Sequence, residues 1–333
     1  MIGPSKSKHK FILFKASDKL KLPSINSPTR SDLVGKPHKS YSCNSFLSSF
    51  LILVCFLNIL LFNHALAHTE NRGITNILIP KIRTKIKQYP RLICGVYIKP
   101  SWATKGNSII NINGDVAFSA ASLIKIPIAV VLLQKIDKGQ INWNRILVLQ
   151  RKHYAAGAGV LRTRRLGTKI KLKEVFRLML TISDNTATNM IIDLLGGIYK
   201  TNQEITKLGL KNTKVVNWLG DFKGTNKTSP GDLVNILEKS LEGNLLSKGS
   251  RSILKSTLLS VKNTSLIRKG LGRYTRFAHK TGTIGICVGD AGIVYLPFGK
   301  RISISIIVKR PFNSLQGKTI IREISKLVYV NLT

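Results

Sequence analysis

SLIKIPIAVVLL, at residues 122–133, joins a Ser-x-x-Lys quartet to an uninterrupted apolar run. The run predicts a buried helix, and Pro127 is compatible with its first turn. Ser122 and Lys125 lie three positions apart, so both side chains share one face of the helix. A serine hydroxyl needs an adjacent base to become a nucleophile, and a lysine whose charge is disfavoured by burial can act as that base. Taken alone, the quartet is more typical of a helix-capping serine followed by a solvated lysine.

Two further motifs follow along the chain. Ser183-Asp184-Asn185 lies between two apolar stretches and marks a break between helices, where it also suits a simple N-cap. Lys280-Thr281-Gly282-Thr283 lies in a stretch whose alternating pattern predicts a strand, with a glycine that lets another backbone approach closely. Alone, this motif also fits an edge strand protected by a lysine. Three such motifs in one order are much less expected by chance than any one of them.

In this order the motifs resemble the active site of the penicillin-recognising serine hydrolases, the superfamily of class A β-lactamases and penicillin-binding proteins. The resemblance extends to residues 157–161, 181–189 and 289–294, and it covers roughly residues 70–333. The chain is therefore identified as a member of the class A β-lactamase-like serine hydrolases. Membership implies an α+β fold, with an antiparallel five-stranded sheet flanked by helices, an all-α lobe, and an active site in the cleft between them.

The order of predicted elements agrees with this fold. Hydrophobic patterns predict a helix near 71–87, mainly helical segments from 122 to 262, and a final helix near 316–329. Strands are expected near 92–98, 108–112, 275–283, 286–295 and 302–309. Strands from both ends of the domain thus build one sheet, and the middle of the chain builds a helical lobe.

The resemblance implies covalent acyl transfer by four catalytic side chains. Ser122 Oγ attacks the carbonyl of a β-lactam or of a D-Ala-D-Ala-like amide, and Lys125 accepts its proton. Ser183 passes a proton to the leaving nitrogen. Lys280 holds Ser183 electrostatically and attracts the substrate carboxylate.

Backbone and side-chain groups complete the implied substrate site. The N–H groups of Ser122 and Thr283 form the oxyanion hole. Asn185 contacts the substrate's side-chain amide. The remaining implied substrate-binding residues belong to the third motif: Thr281, Gly282 and Thr283, with the two threonine hydroxyls on the carboxylate.

Several polar residues carry weaker expectations. Arg310 is a candidate second contact for the substrate carboxylate, although a surface charge is the more typical reading. His279 is interpreted as a strand residue beside the third motif. Cys94 and Cys287 are either a disulfide or two buried free thiols. The histidines and cysteines have no zinc spacing, so we expect no metal and no cofactor.

One stretch departs from the family. Class A β-lactamases carry a glutamate in a Glu-x-x-Leu-Asn stretch of the omega loop, and it activates the water that releases the acyl group. Aligning the corresponding stretch on Trp218 places Leu219 at the glutamate position and Lys223 at the asparagine position. Leucine is no base. Asp221, two residues further on, is either a displaced deacylation base or a solvated loop carboxylate.

This departure leaves three functions open. The first is a serine hydrolase of the class A β-lactamase type, acylated at Ser122 by β-lactams and hydrolysing their cyclic amide, but slowly. The second is a penicillin-binding D,D-carboxypeptidase or related peptidoglycan peptidase. The third is a non-catalytic, basic, envelope-binding module. The missing glutamate favours a peptidase-like enzyme over an efficient β-lactamase.

The N-terminal region predicts export. Residues 1–42 carry nine Lys or Arg against two Asp, which indicates a disordered basic cytoplasmic tail or a long n-region. Residues 43–67 contain the charge-free run 46–62 and a small-x-small cleavage pattern, which indicate a signal peptide or a retained signal-anchor. Translation from a later start codon is a third alternative. The hydrolase domain, 68–333, is then exported to the periplasm or the outer face of the bacterial inner membrane.

The strongly positive net charge of the chain indicates what kind of partner it binds. The formal net charge of +38 favours anionic polymers of the cell envelope, while residues 46–62 contact the membrane if they are not cleaved. An AT-biased genome explains the abundance of lysine, isoleucine and asparagine equally well. Basic residues are scattered without a recognition motif, so we expect no nucleic acid, and a monomer that binds a β-lactam or a peptidoglycan peptide.

Overall fold

The structure is a computed structural model that describes residues 52–54, 56–58, 75–103 and 109–333. Contacts separate Met1–Phe56 from Leu57–Thr333, and the sheet, cores and site described below belong to the second unit. Residues 52–54 and 56–58 are helical. Within the described residues, no helix is both long and apolar enough to cross a membrane. The predicted basic tail and most of the predicted signal segment fall outside this part of the chain.

The described strands are β1 Ile93–Pro100, β2 Ile110–Ile112, β3 Phe118–Ser119, β4 Ile146–Val148, β5 Lys169–Lys171, β6 Lys227–Thr228, β7 Arg276–Ile284, β8 Cys287–Tyr295 and β9 Arg301–Lys309. From residue 75 onward, the described α-helices are α1 at 75–87, α2 Lys125–Asp137, α3 Leu172–Thr181, α4 Asn185–Leu194, α5 Gly197–Lys207, α6 Pro230–Leu241, α7 Lys248–Leu259, α8 Ile267–Gly270 and α9 Gln316–Leu332.

One five-stranded antiparallel sheet, ordered β2-β1-β9-β8-β7, places the third motif on an edge strand. Helices α1 and α9 cover one face of the sheet through an apolar core that includes Ile82, Ile306 and Ile324. The helical lobe covers the other face through a second core that includes Leu123 and Ile293. Because both faces are covered, β7, β8 and β9 are almost wholly buried. The predicted α+β fold is confirmed.

The predicted strand bounds agree with the structure to within two residues. The first helix was expected over 71–87, and its described part begins at 75. Two small sheets, β3 with β6 and β4 with β5, interrupt the region that the sequence predicts as mainly helical. These four strands have two or three residues each, and the prediction of a mainly helical region missed them because their pairing depends on which distant segments meet.

The two cysteines of the domain are free and buried. Cys94 lies on β1 and Cys287 on β8, so they are separated by β9 in the sheet. Burial raises the pKa of each thiol to about 12, which keeps both protonated and unreactive at neutral pH. Of the two alternatives left open by the sequence, free thiols are therefore correct.

Candidate active site

The first motif forms a tight turn against the third-motif strand. Ala121–Ile124 is a short 3-10 helix that leads directly into α2. Ala121, just before the serine, has φ 45°, a left-handed conformation that is strained for alanine. A Cβ on Gly282 would lie 3.1 Å from both Ala120 O and Leu123 N, so only glycine lets β7 pack so closely on the turn. The strand that carries the third motif therefore touches the turn that carries Ser122.

Lys125 contacts residues of both the first and the second motif. Its fully buried Nζ lies 3.1 Å from Ser122 Oγ and 3.0 Å from Ser183 Oγ. It also donates to Ser183 O at 2.6 Å and to Asn185 Oδ1 at 2.8 Å. Burial, reinforced by the positive charge of Lys280, holds the pKa of Lys125 well below its ordinary value of 10.5, against the opposing charge of Asp184. A neutral amine has two N–H groups and one lone pair. With both N–H groups on carbonyl oxygens, the lone pair is left for the two hydroxyls.

The second motif is held in place by its aspartate. Ser183 has φ 62°, a left-handed conformation at the turn between α3 and α4. Asp184 is fully buried, and its Oδ1 accepts from the Ala187 N–H at 2.9 Å, capping α4. Its Oδ2 accepts from the Val160 and Leu161 N–H groups at 2.7 and 2.8 Å. The aspartate thus ties the 157–161 loop to the serine at the cleft.

Asn185 is a bridge between Lys125 and the neighbouring loop. Besides accepting from Lys125, it donates through Nδ2 to Ala156 O at 2.8 Å, and its backbone N–H donates to Ala158 O at 2.9 Å. The side chain is buried, and its expected contact with the substrate's side-chain amide stays a prediction.

The third motif supplies a second buried lysine. Lys280 Nζ donates to Thr281 O at 2.7 Å. Burial lowers its pKa to about 8, with the carboxylate of Asp290 on β8 opposing the shift. Asp290 is itself fully buried and accepts from the Ile267 N–H at 3.1 Å, while its other oxygen lies 2.9 Å from His279 Nδ1. His279 is therefore the strand residue that the sequence predicted, and it is also the partner of a buried acid.

A cleft of about 290 Å³ brings parts of all three motifs together. Among its walls are five predicted site residues: Ser122, Ser183, Lys280, Thr281 and Thr283. Lys125 contacts Ser122 and Ser183 of this wall, and Asn185 contacts Lys125. Sequence reasoning missed the remaining lining residues, which are Ala158, Thr181, Ile182, Val261, Lys262 and Asn263. Residues 261–263 carry no motif, and only the turn after α7 brings them to the cleft.

The loop at 217–226 has no acid in contact with the described catalytic side chains. Leu219 is buried in the core of the helical lobe, and its N–H and C=O both bond to the amide of Asn189 on α4, at 2.9 and 2.7 Å. Asp221 accepts from Thr225 Oγ1 at 2.9 Å and from the Asn226 N–H at 2.7 Å, within its own loop. The role of Asp221 as a deacylation base stays a prediction.

Arg310 is not a surface charge. It is 5% exposed and donates to Ser314 O at 2.6 Å and Ile284 O at 3.1 Å, which joins the β7–β8 turn to the loop before α9. The prediction of a surface position was wrong. The sequence does not show that two backbone carbonyls meet around this side chain and accept hydrogen bonds from its guanidinium. Nη1 and Nη2 each donate to one of these carbonyls, and the buried Nε has no hydrogen-bond partner among the described residues.

Comparison with known proteins decides the family. A model of the beta-lactamase enzyme family matches residues 77–332. The chain belongs to that family. It is 25% identical over 245 residues to the extended-spectrum beta-lactamase PER-1 of Pseudomonas aeruginosa, with 68% of this chain and 80% of that protein covered. This beta-lactamase-family chain is thus a class A-like serine hydrolase with the predicted fold.

Similar solved structures are of two kinds. PBP-A is 40% identical, with a TM-score of 0.74, 77% of this chain covered and 95% of that one. A leucine-to-glutamate mutant of PBP-A, solved as an acyl-enzyme complex with penicillin G, is 39% identical with the same TM-score and covers 77% and 96%. The TLA-1 extended-spectrum beta-lactamase is 26% identical, with a TM-score of 0.71 and coverage of 78% and 99%. This member of the beta-lactamase family therefore resembles both PBP-A and true beta-lactamases.

Proposed function

We propose that this protein is a penicillin-recognising serine hydrolase that is acylated at Ser122 by β-lactams and releases the acyl group slowly. The observation that carries the proposal is the placement of Lys125 Nζ within 3.1 Å of both the Ser122 and the Ser183 hydroxyls. A nucleophile, its base and a proton relay in mutual contact are what acyl transfer requires.

The reaction begins when Lys125 takes the proton of Ser122 Oγ while that oxygen bonds to the lactam carbonyl carbon. The N–H groups of Ser122 and Thr283 stabilise the resulting oxyanion. The carbon–nitrogen bond then breaks, and the proton passes from Lys125 through Ser183 Oγ to the leaving nitrogen. Water releases the acyl group from Ser122 in a second step.

Among the described residues, no carboxylate stands at the position where the family carries the base of the second step. Leu219 occupies the position at which the sequence alignment expects the glutamate, and both carboxylate oxygens of Asp221 already accept hydrogen bonds from loop groups. This supports slow deacylation. It also favours a second candidate, a D,D-carboxypeptidase for which a β-lactam is only a trapping inhibitor. A leucine-to-glutamate mutant of PBP-A was solved as an acyl-enzyme complex with penicillin G. The similarity of this chain to PBP-A therefore agrees with both the slow hydrolase and the D,D-carboxypeptidase.

Intact-protein mass spectrometry tests the proposal. The protein mixed with excess benzylpenicillin is expected to gain the mass of one penicillin and to keep it for hours. Ser122→Ala is the control and is expected to gain nothing. No adduct in the wild-type protein would reject the proposal and favour a non-catalytic binding module. Rapid loss of the adduct as hydrolysed penicillin accumulates would identify an efficient β-lactamase and make Asp221 the first residue to test.

Carboxylate binding is expected to depend on pH. Because the pKa of Lys280 is about 8, its positive charge is present below this pH and is lost as the pH rises through it. The non-covalent affinity of Ser122→Ala for benzylpenicillin should therefore fall roughly tenfold between pH 7 and pH 9.5. Benzylpenicillin methyl ester, which has no carboxylate, is the control. An affinity for the acid that does not change with pH in calorimetry would contradict a role for Lys280 in binding.

Location and partners are part of the proposal. The basic N-terminal region and the apolar run at 46–62 support export, with the enzyme on the outer side of a bacterial inner membrane. The net charge of +38 supports adhesion of the monomer to anionic polymers of the envelope.

A further inference from the structure

The cleft has a second lysine that the three motifs do not include. Lys262 lies in the connection between α7 and α8 and lines the cleft together with Ser183 and Lys280. Of the described residues that line this cleft, none is an aspartate or a glutamate. A cleft with two lysines and no acid attracts anions.

The backbone of Lys262 is held by a hydrogen bond, while the residue is exposed. Its N–H donates to Thr181 O at 2.9 Å, at the end of α3 and two residues before Ser183. The preceding residue, Val261, is buried, whereas Lys262 itself is exposed. In the part of the chain that the structure describes, no acidic side chain pairs with it.

The other cations considered for the substrate carboxylate already make hydrogen bonds within the protein. Lys125 is surrounded by four oxygen atoms, and the guanidinium of Arg310 bonds to two carbonyls. Lys280 is buried and donates to Thr281 O, and its pKa of about 8 leaves it only partly charged in mildly alkaline solution.

We infer that Lys262, which lines the same cleft as Thr281 and Thr283, is a specificity-determining residue that contacts the substrate carboxylate. The inference rests on the proposed function, because it adds a contact to the same substrate site. The enzyme then selects substrates with a free carboxylate next to the scissile amide, through one lysine on the strand and one on the α7–α8 connection. A flexible lysine also accepts carboxylates placed at different distances from the amide, as in a β-lactam and a peptide.

The test compares the acylation of Lys262→Gln and wild type by benzylpenicillin and by its methyl ester. We expect the second-order acylation constant for the acid to fall about tenfold, the constant for the ester to change less than twofold, and Lys262→Arg to retain most of the activity. Lys269→Gln, an exposed residue of α8 outside the cleft, removes the same charge and should change neither constant. Equal losses for acid and ester, or no loss for either, would overturn the inference.

A second measurement separates this inference from the proposed function. Calorimetry of benzylpenicillin with Ser122→Ala, with and without Lys262→Gln, needs no acylation. A roughly tenfold weaker binding in the double variant would support the carboxylate contact even if wild type forms no adduct, in which case only the proposed function fails. Equal affinities in the two variants would reject the contact whatever the wild-type protein does.

Discussion

Replacing Lys125 with methionine is expected to lower the acylation rate of Ser122 by about a thousandfold, because general-base catalysis contributes factors of that order. Lys125 Nζ lies 3.1 Å from the nucleophile, and burial keeps its pKa far below that of an ordinary lysine. Methionine has nearly the same length and fills the same buried space, so the loss measures the base and the relay rather than a cavity. Mass spectrometry of adduct formation at several penicillin concentrations gives the rate.

The matched control for this variant is Lys138→Met. Lys138 follows the last residue of α2 and is exposed, so acylation should be unchanged. Circular dichroism and thermal unfolding establish that Lys125→Met is folded, since Ser183 O and Asn185 Oδ1 lose their donor. A folded variant with wild-type acylation kinetics would show that another group takes the proton of Ser122.

Replacing Leu219 with glutamate is expected to accelerate deacylation by about a hundredfold or more, which converts a trapped acyl-enzyme into a turnover enzyme. Leu219 is anchored through both backbone groups to Asn189, which is one helical turn after Asn185, the partner of Lys125. Residues at i and i+4 share a helix face. Asn185 and Asn189 therefore lie on the same side of α4, and position 219 lies beside the helix face that contacts Lys125. A carboxylate there can take a proton from water. The measurement is the lifetime of the benzylpenicillin adduct.

Leu219→Gln is the control, since glutamine has the same shape as glutamate and is no base. Both variants should lose stability, by about 1–3 kcal/mol, because position 219 is buried among apolar side chains. Only the glutamate should shorten the adduct lifetime. Equal lifetimes in the two variants would mean that position 219 does not face the acyl group, and a similar test would then move to Asp221.

The candidate catalytic residues could be proposed from the sequence because they are carried by short motifs with fixed local geometry. A serine and a lysine at i and i+3 share a helix face in any fold, and the strand of the third motif shows its own alternating pattern. The five long-range strands were predictable for the same reason. Three features could not be predicted: the burial of Arg310, the choice between a disulfide and free thiols, and the two small sheets. Each of them depends on which distant segments meet.

Sequence alone determined the family, the candidate nucleophile and base, and the absence of a glutamate at position 219. These are properties of residue type and local spacing. Only the tertiary structure decided the rest of the site, such as the hydrogen bond from the Lys262 N–H to Thr181 O and the pairing of Asp290 with His279. Each of these joins side chains or backbone groups whose meeting depends on how helices and strands pack. A lysine becomes a base or a substrate contact through its burial and neighbours, and packing sets both.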